Sequence, residues 1–241
     1  MILLVAGLIL FLGLHSTRIF AEGARSAAIA RLGENGWKIG YSVLSLVGLW
    51  LLARGYGQTR VVPENLWNPP AFARHLSALL TLPAFVLVVA AYVPGNRIKT
   101  AVGHPMIIGV ALWALAHLLA NGRAGDVLLF GGFFAWAVLD WWAARRRDPS
   151  GLASGPGAPR AARGLESAPV LATAAAGFGG SQAGSQAGPQ REVRSAGAPA
   201  AAVAPAGSLG RDLLAVGLGV LGWAAFAFYL HIRWIGVYPF A

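Results

Sequence analysis

The chain has no cysteine, which excludes a disulfide framework, an iron–sulfur cluster, a zinc site with thiolate ligands and a cysteine nucleophile. Charged residues are also scarce. They make up 12% of the 241 residues, which is about half of their share in an average soluble domain. So few charges cannot cover the surface of an ordinary soluble domain, and the composition therefore indicates a chain that is not surrounded by water on all sides.

Long hydrophobic runs take the place of the missing charges. Six nearly uncharged runs alternate with short charged segments. They lack the polar–apolar alternation of strands and are rich in Leu and Ala, so they predict helices. Because about 20 apolar residues are needed to cross a bilayer, we predict an all-α polytopic membrane protein with six transmembrane helices, the shorter ones being extended by flanking aromatic residues. The runs are residues 2–17, 39–53, 76–93, 105–122, 127–139 and 213–230.

Basic residues are concentrated in alternate connections between the predicted helices. The first, third and fifth connections contain 14 of the 19 Lys and Arg residues. Because cytoplasmic loops are enriched in these residues, we predict that these connections are cytoplasmic and that both termini lie on the other side. The first run has no basic residue before Arg18, unlike a signal peptide, so it is interpreted as a retained helix. Topology thus accounts for the net charge of +10, and the predicted partner is a lipid bilayer and not a nucleic acid.

Residues 149–209 differ in composition from the rest of the chain. They are rich in Ala, Gly, Pro and Ser, include the repeat SQAGSQAG, and contain one aromatic residue, Phe178. Such a segment cannot bury enough apolar area to offset the entropy of ordering it. We predict a disordered cytoplasmic linker here, between residues 1–148 with helices one to five and residues 210–241 with the sixth helix.

Histidine is the strongest candidate metal ligand in the predicted helices, because neutral imidazole binds iron, copper or zinc. His117 lies inside the fourth run, and Trp113 and Asn121 share its helix face. His15 lies near the cytoplasmic end of the first helix, where Arg18 could pair with an anionic group such as a haem propionate. Two histidines without other suitable ligands fit a haem better than a four-ligand zinc site. The competing interpretation of His117 is a structural histidine that hydrogen-bonds between helices. The competing interpretation of His15 is an interfacial residue that snorkels together with Arg18.

The other three histidines lie at the ends of predicted helices. His75 and His231 are interpreted as solvated interfacial residues. His104 precedes Pro105, which is a typical first residue of a helix, so His104 is either a ligand or a capping residue. His104 and His117 point about 220° apart around one helix axis and cannot serve one site from one face.

These histidine-bearing segments resemble the NnrU family of bacterial integral membrane proteins. The likeness covers residues 1–148 and 210–241 and leaves out the linker. It implies a multi-pass protein of the bacterial inner membrane, with periplasmic termini, that supports nitrite and nitric oxide reduction in denitrification, with a membrane reductase as a possible partner. The stretches that carry it include GLHSTRIF, GHPMIIGVALWALAHLLANG, DVLLFGGFFAWAVLDWWAARRRD and LHIRWIGVYPF.

The plant 15-cis-zeta-carotene isomerases are a distantly similar family that holds b-type haem between two histidines. The resemblance implies that His15 and His117 are the iron ligands in this chain. The cysteine that precedes the second ligand in the isomerases is Ala114 here, so a redox-linked exchange of ligands through that position is impossible.

The predicted depths of the histidines leave the ligand pair open. Measured from a boundary at Arg18, His15 lies about 5 Å and His117 about 20 Å into the membrane at 1.5 Å per residue. One haem needs both ligands at a similar depth, so a His15–His117 pair requires helix tilt. Without such tilt, His15 pairs better in depth with His104.

A second resemblance concerns residues 103–109, GHPMIIG. They are similar to a segment of isoprenylcysteine-type membrane methyltransferases, with Gly103 and Ile107 in place of Arg and Tyr.

The two intramembrane histidines and the resemblance to the NnrU family together lead us to expect a haem-binding membrane protein that supports nitrogen-oxide respiration. The alternatives are a membrane enzyme, either a carotenoid-type cis–trans isomerase or a degenerate methyltransferase, and a cofactor-free accessory membrane subunit.

Overall fold

The structure is a computed structural model that describes residues 1–147 and 207–239. Apart from an isolated bridge between Asn65 and Arg123, the regular elements of these residues are helical, so the predicted all-α fold is confirmed. The predicted linker lies outside the described residues except at its last three positions, where Leu209 already begins a helix. The elements are α1 (Ile2–His15), α2 (Thr17–Phe20), α3 (Glu22–Thr59), α4 (Phe72–Tyr92), α5 (Arg97–Val102), α6 (Pro105–Ala120), α7 (Ala124–Arg147), α8 (Leu209–Ala225) and a π-helical segment (Phe226–Ile235) that continues α8.

Four helices in the described part of the chain are long and apolar enough to cross a membrane: α3, α4, α7, and α8 together with its π-helical segment. The apolar helices α1 and α6 have 14 and 16 residues, which is less than the roughly 20 that a span usually needs. The structure therefore supports a helical membrane protein. The predicted count of six spans depends on α1 and α6.

Polar side chains and backbone turns explain why α1 and α6 end before the apolar runs do. After α1, the hydroxyl of Ser16 donates to the carbonyl of Leu12 at 2.6 Å, and such local bonds compete with helix propagation. After α6, Asn121 has extended backbone angles, with φ −131° and ψ 134°. Each helix is therefore two residues shorter at its C-terminus than its predicted run.

The second predicted helix is much longer than its apolar run. The run covers residues 39–53, whereas α3 extends over 38 residues and includes most of what we predicted to be a connecting loop. The residues before Ile39 are mainly good helix formers such as Ala, Arg and Glu, which carry no hydrophobic signal. One interruption occurs at Gly33, where φ is 71°, a value that glycine adopts without steric cost.

Helices α1 and α3 pack backbone to backbone. A side chain on Gly55 would overlap the backbone of Leu4, and one on Gly7 would lie 2.6 Å from the amide nitrogen of Leu52. Small residues permit such close approach in membrane helices. The consequence is a tight α1–α3 pair, which holds α1, and with it His15 at its C-terminus, against α3.

Helix α4 is flanked by α6 and α8, both of which pack along it. A side chain on Gly109 of α6 would lie 2.9 Å from the carbonyl oxygen of Ala84, and one on Gly219 of α8 would lie 2.6 Å from the Cα of Val86. Helix α7 packs on the other side of α6 and also reaches α1 and α3. Through α7, the α1–α3 pair and the α4–α6–α8 group form one bundle.

The helix connections meet at two ends of the bundle. At one end, which we call the basic end, the Arg147 guanidinium donates to the carbonyl of Arg18 at 3.0 Å. At the other, which we call the distal end, the Arg60 guanidinium donates to the carbonyl of Ile235 at 2.6 Å. The start of α1, which touches Gly55, and the end of the π-helical segment therefore lie at the same end, as an alternating topology requires.

Candidate functional site

His117 lies in the last turn of α6, closer to the helix end than the sequence indicated. Its ring stacks on Phe130 of α7, with ring centroids 4.6 Å apart and planes inclined by 28°. Its Nδ1 lies 2.8 Å from the carbonyl oxygen of Trp113. Because a carbonyl only accepts hydrogen bonds, Nδ1 must donate, which leaves the lone pair of a neutral imidazole on Nε2. Asn121 donates to the backbone carbonyl of His117 and not to its ring.

A cavity that is open to the surroundings lies beside His117. Its floor is one face of α4, and its sides come from α6 and from the C-terminal helix. Aromatic and aliphatic groups dominate the walls, with the guanidinium of Arg74 among the polar groups. The lining includes Arg74, Thr81, Phe85, Trp113, His117, Trp223, Phe226 and His231.

His231 lines the same cavity from the C-terminal helix. Its Nδ1 lies 2.6 Å from the carbonyl oxygen of Val237, so by the same argument Nε2 carries the lone pair. Its ring stands edge-on to that of Phe226, with centroids 5.8 Å apart. We interpreted His231 as an interfacial residue from the sequence and did not predict that it lines the same cavity as His117. The available signal was the predicted topology, in which His117 and His231 come near the same side of the membrane.

The π-helical segment explains the position of His231. Hydrogen bonds from residue i to i+5 bring residues five apart onto one face, as Phe226 and His231 are. The segment ends at Gly236, whose φ of 76° and ψ of 18° are left-handed, a conformation that glycine adopts readily. Such segments are frequent at functional sites.

His15 lies in a second aromatic cluster, towards the basic end. Its Nδ1 lies 2.7 Å from the carbonyl oxygen of Phe11, and its ring stacks on that of Phe11 at 4.3 Å. Tyr41 and Trp136 are its other ring neighbours, at 5.4 and 6.1 Å. The buried Nε1 of Trp136 has no hydrogen-bond partner within the described residues.

The structure does not bring His15 and His117 to a common cavity. Trp136, which contacts His15, and Phe130, which contacts His117, are six residues apart on α7, or about 9 Å along the helix axis. The rings of Phe11, Phe133 and Trp113 form a continuous series between the two imidazoles. The two histidines are thus connected by aromatic rings and do not face each other.

The other two predicted site residues lie away from the cavity. His104 is the residue before α6, at the opposite end of that helix from His117. Arg18 is exposed, and its backbone carbonyl accepts the hydrogen bond from Arg147. Among the residues described, no group of three or more His, Asp or Glu side chains could hold a metal ion, whereas a haem iron needs only one or two axial ligands.

Asp126 lies at the start of α7, next to the site, and its role is not evident from the sequence. Its carboxylate is 2% exposed, accepts the hydroxyl of Tyr56 at 2.6 Å and accepts the amide of Arg123 at 3.3 Å. A carboxylate in the first turn of a helix also interacts favourably with the helix dipole. Asp126 thereby fixes the start of α7, one turn before the Phe130 ring that stacks on His117.

The residues around the cavity fit a haem. His117 offers an Nε2 lone pair and is oriented through Nδ1, as metal-binding histidines usually are. The rings of Phe85, Trp113, Trp223 and Phe226 supply apolar walls, and the guanidinium of Arg74 is of the type that pairs with carboxylates such as propionates.

Comparison with known proteins identifies the family. The family model described as NnrU protein matches residues 3–239, and so covers every described helix apart from the first residue of α1. No curated protein and no solved structure matches significantly. Because the match covers nearly the whole chain, the chain belongs to the NnrU family.

Proposed function

We propose that the chain is a six-span protein of a bacterial inner membrane that binds b-type haem through His117 and supports nitrite and nitric oxide reduction. The observation that carries the haem proposal is the cavity beside His117, where an oriented imidazole meets apolar aromatic walls. The respiratory role, including a membrane reductase as partner, is taken from the family resemblance.

The six-span arrangement is supported by the packing of the two short helices. Helix α1 packs along α3, and α6 packs along both α4 and α7. At 1.5 Å per residue they are about 21 and 24 Å long, and the bilayer can thin locally around short spans. The basic end, with Arg18 and the run Arg145–Arg147, is assigned to the cytoplasm by the positive-inside rule. Both termini would then be periplasmic.

The residues around the cavity have distinct roles in this proposal. The carbonyl of Trp113 holds the His117 ring in the required tautomer, and Phe130 supports its face. With haem bound, the aromatic walls would exclude water from it, and the Arg74 side chain, which lines the cavity, would be the group to pair with a propionate. A haem bound there would supply one-electron redox chemistry.

The test is the absorption spectrum of the detergent-purified protein from cells supplied with a haem precursor. The expected result is a Soret band that is lost in His117→Ala. His75→Ala, which removes an exposed histidine of α4, is the matched control and keeps the band. A wild-type protein that is colourless and free of iron, or a His117→Ala variant with the full haem content, would contradict the proposal.

A further inference from the structure

We infer that His231 is the second axial ligand of the iron, opposite His117, in the cavity between α6 and the C-terminal helix. This inference rests on the haem binding proposed above and adds the identity of the second ligand. It replaces the His15–His117 pair that the family resemblance implies.

Both imidazoles line one cavity from different helices. Helices α6 and α8 each pack along α4, and the cavity lies over the α4 face formed by Arg74, Ala78, Thr81 and Phe85. His117 projects from the α6 side and His231 from the side of the π-helical segment. The two imidazoles therefore approach the same space from different helices.

The two rings are also prepared for ligation in the same way. Each donates Nδ1–H to a backbone carbonyl, of Trp113 for His117 and of Val237 for His231. Metal-bound histidines usually make this bond with their second nitrogen, because it fixes the tautomer and the ring orientation. Each therefore presents an unprotonated Nε2 without any change of tautomer.

The two histidines come near the same end of their helices. His117 is in the last turn of α6, and His231 is four residues before Ile235, whose carbonyl accepts the distal-end hydrogen bond from Arg60. Both are therefore near the distal end. His15 belongs to the other part of the bundle, near the basic end, and is not part of the cavity lining.

The π-helical segment gives the arrangement a physical cause. The ring of Phe226, packed at 5.9 Å against Phe85 of α4, holds the segment against the cavity floor. Because His231 is five residues from Phe226, the i to i+5 bonding turns its imidazole to the same face. A regular α-helix would rotate it away by about 140°.

The experiment compares the haem spectra of four histidine variants with the wild type. The wild-type protein is expected to be low-spin and six-coordinate in both redox states. His231→Ala is expected to retain haem and become high-spin and five-coordinate, with the low-spin spectrum restored by added imidazole. His15→Ala and the exposed control His75→Ala should keep the wild-type spectrum, and His117→Ala should lose haem.

A second variant keeps the inference testable if His231→Ala does not fold. His231→Met retains an iron-binding side chain, and replacement of an axial His by Met raises the reduction potential. The expected result is a higher midpoint potential in a redox titration, with no such shift in His15→Met.

The outcomes separate the two proposals. A haem-containing wild-type protein that is high-spin, or that loses its low-spin signal in His15→Ala but not in His231→Ala, would overturn the second ligand and leave haem binding intact. An unchanged midpoint potential in His231→Met would overturn it as well. A wild-type protein without haem would overturn both proposals.

Discussion

His15 and His117 are held alike, yet their surroundings differ in one respect. Each imidazole directs Nδ1 to the carbonyl four residues earlier, at 2.7 and 2.8 Å, and stacks on a phenylalanine ring. The His117 region, between α4, α6 and the C-terminal helix, contains an open cavity. In the His15 region, between α1, α3 and α7, the rings of Phe11, Tyr41 and Trp136 surround the imidazole.

The difference arises from how the neighbouring helices approach each other. In the α1–α3 pair, three glycines let the backbones touch along most of α1: Gly7, Gly48 and Gly55. In the other region, α6 and α8 each touch α4 closely at one glycine, Gly109 or Gly219, and the cavity opens beyond these contacts. A ligand-type histidine thus becomes a candidate site only where the helix packing leaves space beside it.

The largest expected effect is on the closely packed side. Gly55→Leu should lower the free energy of unfolding by at least about 3 kcal/mol, because its side chain would overlap the backbone of Leu4 and overpacking cannot be relieved there. Thermal unfolding in detergent measures it. Gly57→Leu is the matched control, since nothing lies within 4 Å of a Cβ at that position. Equal stability of the two variants would mean that α1 and α3 do not pack as described.

Substitution of Asp126 tests the attachment of α7, the helix that joins the two regions. Asp126→Ala should cost about 2 kcal/mol of stability, because it leaves the partly buried Tyr56 hydroxyl without its hydrogen-bond acceptor. Tyr56→Phe removes only the hydroxyl and should cost less. A double-mutant cycle on unfolding free energies should give a coupling of about 1 kcal/mol. Additive effects of the two substitutions would show that this hydrogen bond does not contribute.

The cavity can be filled without touching a histidine. Ala78→Phe places a ring into the space over α4 and should weaken haem retention at least about tenfold, or about 1.4 kcal/mol, while the protein stays folded. Haem loss to an excess of apomyoglobin gives the measurement. Leu79→Phe, at a neighbouring position that is 68% exposed, should retain haem normally. Full haem retention in Ala78→Phe would place the haem elsewhere.

The sequence predicts the helices far better than the site. Uncharged runs identify every long helix, because apolar length is a local property of the chain. They underestimate α3, since the residues before Ile39 are helical without being apolar. His117 is a candidate from sequence because a polar residue inside an apolar run is conspicuous. The sequence does not indicate the contacts of His231 and Asp126, because these depend on which helices meet and on a change from α- to π-helical bonding, and neither is a local property.

The smallest expected effect concerns the aromatic rings around His15. The Nε1 of Trp136 is buried without a hydrogen-bond partner in the described residues, and an unpaired buried donor is unfavourable. Trp136→Phe removes this donor and keeps an aromatic ring, so we expect a change in unfolding free energy within about 1 kcal/mol, as the lost ring volume offsets the gain. Trp113→Phe, in a ring that lines the cavity, should instead change the haem absorption. A loss of about 3 kcal/mol or more in Trp136→Phe would show that the Trp136 N–H donates to a bound ligand beside His15. Both histidine regions would then bind a ligand, and they would differ only in the size of that ligand.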